Sequence, residues 1–241
     1  MKKLIIILIS IFTITINLYS QKFTSISYCK CDTIHLIKDT SNLSLIIYTP
    51  VHCKLGLTAL RPDSNQTNIL FTAPAAFTTK NYKEVVGRFV GIDTIIENPT
   101  ENETGLCSIN NKDVYIGPIS DSSTYYYNAI LDTNTFYFQQ MLLINNYKKV
   151  ECTIFGNQKP TFRRALALKN GNAYVVESLN RMNINDFIDT MVEQGYSDAI
   201  YMDMGTWSEG FYTSQNNEKI SIGRLKQNTR YQTNWLIFIR E

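Results

Sequence analysis

The chain has 241 residues with 23 basic and 21 acidic side chains, a formal charge of +2, and Lys2 and Lys3 account for that excess. Near-neutrality excludes the basic footprint that nucleic acid or an anionic membrane surface requires. With 15 Tyr, 12 Phe, abundant Ile and Thr and little Ala, the composition favours strands.

Residues 1–20 read as a cleavable secretory signal peptide. Lys2 and Lys3 form a positive start, residues 4–17 an apolar segment, and Leu18, Tyr19 and Ser20 end in a small residue before Gln21. That segment falls short of the about 20 apolar residues of a membrane span, and no later stretch reaches that length. No Cys follows it directly, which argues against a lipid-anchored start. The expectation is an exported protein (periplasm, cell surface or exterior) whose residues 21–241 form one domain.

Five cysteines remain: Cys29, Cys31, Cys53, Cys107 and Cys152. An odd count leaves at least one unpaired in an oxidising compartment. Cys29 or Cys31 joined to Cys53 would close a loop of about 20 residues, worth ~3 kcal/mol by loop entropy; buried thiols are the alternative. Cys29, Cys31 and His35 match no zinc-ligand spacing, so neither metal nor cofactor is expected.

Along the chain, residues 33–38 and 43–48 alternate around a polar turn and predict a hairpin. Residues 69–77 are small and apolar, with Pro74 arguing against a central ladder position there. Gly87 and Gly91 suggest bulges or close backbone approach. Residues 105–109 and 114–116 bracket a turn, residues 121–128 are polar and then Tyr-rich, and residues 136–144 and 150–155 read as strands.

The segment 163–212 is the most informative. Asn170 and Gly171, between apolar runs 165–169 and 173–178, are the strongest short-range hairpin signal. Ile184, Phe187, Ile188, Met191 and Val192 form one apolar stripe at helical spacing. Asn183 is placed to cap this helix and Gly195 to end it. A strand over residues 199–202 then leads into Asp203, Met204, Gly205, Thr206, Trp207 and Ser208, and residues 234–239 form one more strand.

Arg163, Arg164, Ala165, Leu166 and Ala167, then Gly171, a helix ending at Gly195, and Asp198, Ala199, Ile200, Tyr201, Met202, Asp203, Met204 and Gly205 together resemble the phosphodiester glycosidase domain family. Residues 73–78, Gly87, Gly105 and Gly117 resemble its N-terminal half in order, so the likeness covers roughly residues 71–239. Three places depart from the pattern: Met204 replaces the first glycine of the family's Asp-Gly-Gly turn, Thr206 and Trp207 stand before Ser208 where the family usually has Gly or Ser, and Pro74, Ala75, Ala76 and Phe77 lack its asparagine.

The resemblance implies a hydrolase that removes a sugar from a glycosyl phosphodiester. Such chemistry is expected to use a base or nucleophile, an acid for the leaving oxygen, and cations or N–H groups on the phosphate. Asp203, Arg164 and Glu177 are the catalytic candidates, and Gly205, Ser208 and Trp207 the substrate-binding ones. By residue type alone, Arg164 and Asp203 would be an ion pair bracing a turn, Glu177 a solvated side chain, Tyr125, Tyr126 and Tyr127 core or interface, and Trp207 and Phe211 either a sugar-stacking platform or core. No Gly-x-Ser-x-Gly elbow is present. The fold expected is α+β, a single domain with a mixed, twisted sheet covered by a few helices. The partner expected is a sugar phosphodiester or glycan; the alternative is a catalytically inactive carbohydrate-binding or envelope protein that kept the fold.

Overall fold

The computed structural model describes residues 25–38, 41–79, 84–98, 103–111, 113–151, 159–204, 209–223 and 232–241. These form seventeen strands, two α-helices and one 3-10 turn. A seven-stranded sheet is ordered β1 (Tyr28–Lys38), β2 (Ser41–Val51), β13 (Asn172–Ser178), β12 (Arg164–Lys169), β14 (Asp198–Tyr201), β10 (Leu142–Asn145) and β11 (Lys148–Lys149). A second has the order β16 (Lys219–Gly223), β15 (Glu209–Thr213), β4 (Ile69–Pro74), β17 (Trp235–Arg240) and β3 (Cys53–Thr58). The third runs β6 (Ile95–Asn98), β5 (Gly87–Val90), β9 (Thr135–Gln140), β7 (Gly105–Asn110) and β8 (Asp113–Pro118).

The expected α+β fold with a mixed sheet under several helices is corrected by this arrangement. Among the described residues the protein is mostly β, its three sheets are antiparallel, and only two α-helices accompany them. The strand–helix–strand unit from β13 to β14 does carry two strands in the same direction, as a parallel sheet requires. β12 fills the gap between them and pairs antiparallel with both. Elsewhere the consecutive neighbours are antiparallel hairpins: β1 with β2, β5 with β6, β7 with β8, β10 with β11, β12 with β13 and β15 with β16. Asn170 (φ 52°) and Gly171 (φ 74°), like Asn146 (φ 50°) and Tyr147 (φ 63°), adopt the left-handed conformations that such hairpins need.

Strand alternation divides the large sheet into two buried faces. Leu166, Val175 and Ile200 pack inward on Phe71, Ala73, Leu236 and Phe238 of the second sheet and Phe89, Cys107 and Phe138 of the third. The opposite face, with Ala165, Ala167, Val176 and Ala199, is covered by α2 (Ile184–Glu193) through Ile184, Phe187, Ile188 and Met191. Each such fully buried side chain contributes about 1.5–3 kcal/mol. Gly195 (φ 81°) ends this helix as expected. Asn183 makes no side-chain cap; its amide donates instead to Asp186 Oδ2 at 3.4 Å.

Several elements differ from the sequence expectation. Residues 122–131 form α1 (Ser122–Leu131), which buries Ser122, Tyr126 and Ala129 against Val90, Leu106 and Tyr137. Tyr126 is core, whereas Tyr127 is 63% exposed. The single strand expected at 136–144 breaks at Met141, so β9 enters the third sheet and β10 the first. β4 is a central strand after all, because Pro74 is its last residue. The strand expected at 150–155 lies largely outside the described residues, as does Cys152.

Cys29, Cys31, Cys53 and Cys107 are free thiols. Burial is the first cause that pushes Cys29 and Cys107 up, and it raises Cys53 to about 11. Among the described residues no group of His, Cys, Asp and Glu could hold a metal ion, and no helix is long and apolar enough to cross a membrane.

Candidate active site

The two-residue turn at Asn170 and Gly171 fixes the register of β12 and β13, and that register places Arg164 directly opposite Glu177. Their side chains therefore leave the sheet on the same face, the inward one that carries Leu166 and Val175. Arg164 is fully buried and Glu177 is 2% exposed. Arg164 donates to Glu177 Oε2 from Nη2 at 3.0 Å and from Nε at 3.3 Å. Its Nη1 donates to the backbone carbonyl of Asp203 at 3.3 Å.

Asp203 stands two residues beyond β14 and is buried. Met202 N–H donates to Arg164 O at 2.9 Å, continuing the pairing with β12. One residue later the chain changes partner: Asp203 N–H donates to Ala75 O at 2.8 Å, just past the end of β4. The peptide around Asp203 thus joins the first sheet to the second. Asn234, fully buried, holds the other side of that junction, accepting from Ala76 N–H at 2.6 Å and donating to Ala76 O at 2.9 Å.

Arg164, Glu177 and Asp203 are therefore brought together. The solvated surface position that residue type alone assigns to Glu177 is overturned, because strand register carries it inside beside a guanidinium. Gly205, Ser208 and Trp207 lie outside the described residues. Met204 is described and buried, so the side chain that replaces the family's glycine packs into the protein. Phe211 joins Ile69, Trp235 and Ile237 in a separate apolar cluster.

Two features had no signal in the sequence as read. Asn234 reaches Ala76 across a separation of 158 residues. Tyr48 faces the core near the ion pair, and its phenol is pushed up chiefly by burial and further by the Glu177 charge, with Arg164 opposing. The neighbouring Arg163 has its Nε donating to Met182 O at 3.4 Å. Tyr201, which its guanidinium approaches, is raised first by burial, with Arg163 lowering it.

The Arg164–Glu177 pair is neutral overall, and its geometry is set by β12 and β13. Arg164 fastens the carbonyl of Asp203. A carboxylate, a guanidinium and a strand end assembled in a dry junction are a common way to present charge to a reacting group.

The fold is thus that of a three-sheet antiparallel protein with a charged cluster at a strand-end junction. No family model matches the chain, and no curated protein matches it. Among solved structures it is similar to the zebrafish N-acetylglucosamine-1-phosphodiester alpha-N-acetylglucosaminidase catalytic domain auto-inhibited by pro-peptide. That similarity has a TM-score of 0.62 at 12% identity and covers 92% of this chain and 85% of that one. It is also similar to a hypothetical protein from Synechocystis, with a TM-score of 0.56 at 13% identity over 88% of this chain and 62% of that one. At these identities the likeness is one of fold: a distant relationship to a phosphodiester glycosidase-like architecture.

Proposed function

We propose that this protein is an exported hydrolase of the phosphodiester glycosidase type, cleaving a sugar from a glycosyl phosphodiester. The observation that carries the reading is the buried Arg164–Glu177 pair bound to the Asp203 carbonyl. It sits where the sequence resemblance locates the family's site, on a fold similar to the zebrafish catalytic domain.

In this reading Asp203 supplies the carboxylate that activates water or attacks the anomeric carbon. The bond between that carbon and the phosphate oxygen breaks, water supplies the new oxygen, and the phosphate departs as a monoester. A phosphate is a stable leaving anion, so the chemistry does not require a second carboxylic acid of the usual glycosidase pair. Glu177 then serves as the positioning partner of Arg164, whose charge favours the negative charge growing on the phosphate. Gly205, Ser208 and Trp207 are proposed to contact the phosphate or sugar.

The test incubates the purified chain with N-acetylglucosamine 1-phosphodiesters and related sugar phosphodiesters and measures free sugar. Asp203→Ala is expected to lower kcat/KM by about a thousandfold, and Arg164→Lys to do so by a comparable factor. Full activity in either variant overturns the site assignment. One observation favours a second reading, a sugar-binding protein without turnover: the buried Met204 in the turn where the family carries glycine. Saturable glycan binding with no release of sugar from any phosphodiester selects that one.

A further inference from the structure

The outer side of the third sheet, away from the core, carries α1. Phe89, Cys107 and Phe138 point into the core, so alternation turns Val90, Leu106 and Tyr137 outward, where Tyr126 and Ala129 of α1 cover them. That uses one side of the helix. Tyr127, Ile130 and Leu131, at i, i+3 and i+4, form a second apolar stripe on its free side, and Leu131 is 83% exposed. The turn between β5 and β6 stands beside this stripe. Ile92 within the turn and Ile95 just after it are exposed, and with Ile130 they line a groove of about 510 Å³ between hairpin and helix. Exposed Leu60 joins the same surface, its N–H donating to Asp93 Oδ2 at 3.0 Å.

These six apolar side chains are on average more than half exposed, an area on the order of the 300–600 Å² of the largest apolar patch on a typical monomer. The patch is held in place: Ile92 N–H donates to Leu57 O and Gly91 N–H to Thr94 O, both at 2.8 Å, so little ordering is left to oppose binding. Charge is scarce at its centre. α1 contains no acid, lysine or arginine, and the Asp93 carboxylate already accepts from Thr58 Oγ1, Ala59 N–H and Leu60 N–H. Glu97, Asn128 and Asp132 lie around the edge. An aromatic and aliphatic centre with a polar rim is the make-up of an interface core. Shape identifies the occupant. The face holds a groove and, two residues before Thr133 in the groove wall, the protruding Leu131. A two-fold interface requires such a self-complementary patch, in which the knob of each copy meets the hole of the other. With its rim the face approaches the about 800 Å² that each partner supplies to a standard interface.

We propose that this face binds a second copy of the chain across a two-fold axis, with Leu131 of each copy seated in the groove that Ile92, Ile95 and Ile130 line on the other. The face belongs to the third sheet and α1, the Arg164–Asp203 cluster to the first sheet, so the proposal does not depend on the hydrolytic reading.

The test measures the mass of the purified chain by light scattering and sedimentation velocity up to about 200 μM, where a monomer–dimer equilibrium with micromolar or tighter Kd is expected. Leu131→Glu and Ile92→Lys alter exposed side chains and should leave the circular dichroism unchanged. Each should weaken dimerisation at least tenfold. The double variant sets the new carboxylate of one copy against the new ammonium of the other and should recover most of that loss. Tyr127→Ser, on the same exposed stripe, supplies the reading should a charged variant misfold, and Asp203→Ala should dimerise like the parent. A chain that stays monomeric to about 200 μM overturns the proposal, and its co-sedimentation with phosphatidylcholine vesicles would then assign the face to a lipid surface. A dimer undiminished in the single variants overturns it too, as does a double variant no better than either single one, or a mass that climbs past the dimer.

Discussion

Glu177→Gln removes one charge and keeps the shape of the side chain, so the fully buried Arg164 guanidinium loses the carboxylate charge at 3.0 Å. Removing one partner of a buried pair costs about 3–5 kcal/mol, because the remaining charge keeps its desolvation cost and loses its attraction. Against a typical total stability of about 5–15 kcal/mol, that is a large share. At about 2–4 °C per kcal/mol for a domain of this size, the thermal midpoint should fall by roughly 6–20 °C. The assay is urea and thermal denaturation followed by circular dichroism. The companion double variant, Arg164→Met with Glu177→Leu, removes both charges and should recover most of the loss, since apolar replacement of a whole buried pair is often neutral or stabilising. It should also be devoid of turnover, which separates the role of the pair in the fold from its role in chemistry. A loss below about 1 kcal/mol for Glu177→Gln, the range of exposed pairs, would refute the dry junction on which this reasoning rests.

Three further outcomes follow from the same geometry. Asn234→Ala deletes both hydrogen bonds to Ala76 at a fully buried position and should cost about 2–4 kcal/mol in urea titrations; an unchanged midpoint would show that water replaces the amide. Gly210→Ala would bring a methyl group to within 2.0 Å of the Thr72 carbonyl oxygen, so β15 must part from β4, and faster hydrogen exchange of the β15 amides checks this. The Lys219 ammonium is lowered to about 8, first by burial and then by Arg240. Its folded value therefore lies below its unfolded one, the unfolded chain binds more protons between about pH 8 and 10.5, and stability should rise with pH across that window. Lys219→Met should flatten the rise, as denaturation midpoints at pH 7.5 and 10 would show.

The legibility of these elements in the sequence follows from how local their causes are. The β12–β13 hairpin is written in two adjacent residues, because only Asn and Gly sit easily at successive positive φ angles. α2 is written in a stripe of Ile184, Phe187, Ile188 and Met191. α1 carries no such stripe: its buried positions are Ser122, Tyr126 and Ala129, and Ser122 belongs there because its hydroxyl meets the Tyr137 hydroxyl at 2.8 Å. The mixed-sheet expectation failed for a non-local reason, since nothing between β13 and β14 says that β12 will stand between them. For the candidate site, Arg164 and Asp203 are legible as strand-end charges. Glu177 was also within reach, because a two-residue turn at 170 and 171 forces 164 opposite 177. Asn234 was not, for its partner lies 158 residues away.

The junction also explains why substitutions at Arg164 and at Asp203 should behave differently. Arg164 holds the fold through its side chain, so any change there confounds stability with chemistry. At Asp203 two links run through the backbone: the N–H to Ala75 and the carbonyl to Arg164. Asp203→Asn leaves both in place while removing the negative charge. If the carboxylate is there for reaction, this variant should keep its α2 and core amides protected from hydrogen exchange and lose sugar release by about a thousandfold. Were it to lose protection as Glu177→Gln does, the charge would belong to the same bracing network as the ion pair, and the cluster would be scaffold throughout. The comparison of these two isosteric neutralisations therefore divides a strand-end site from a strand-end brace.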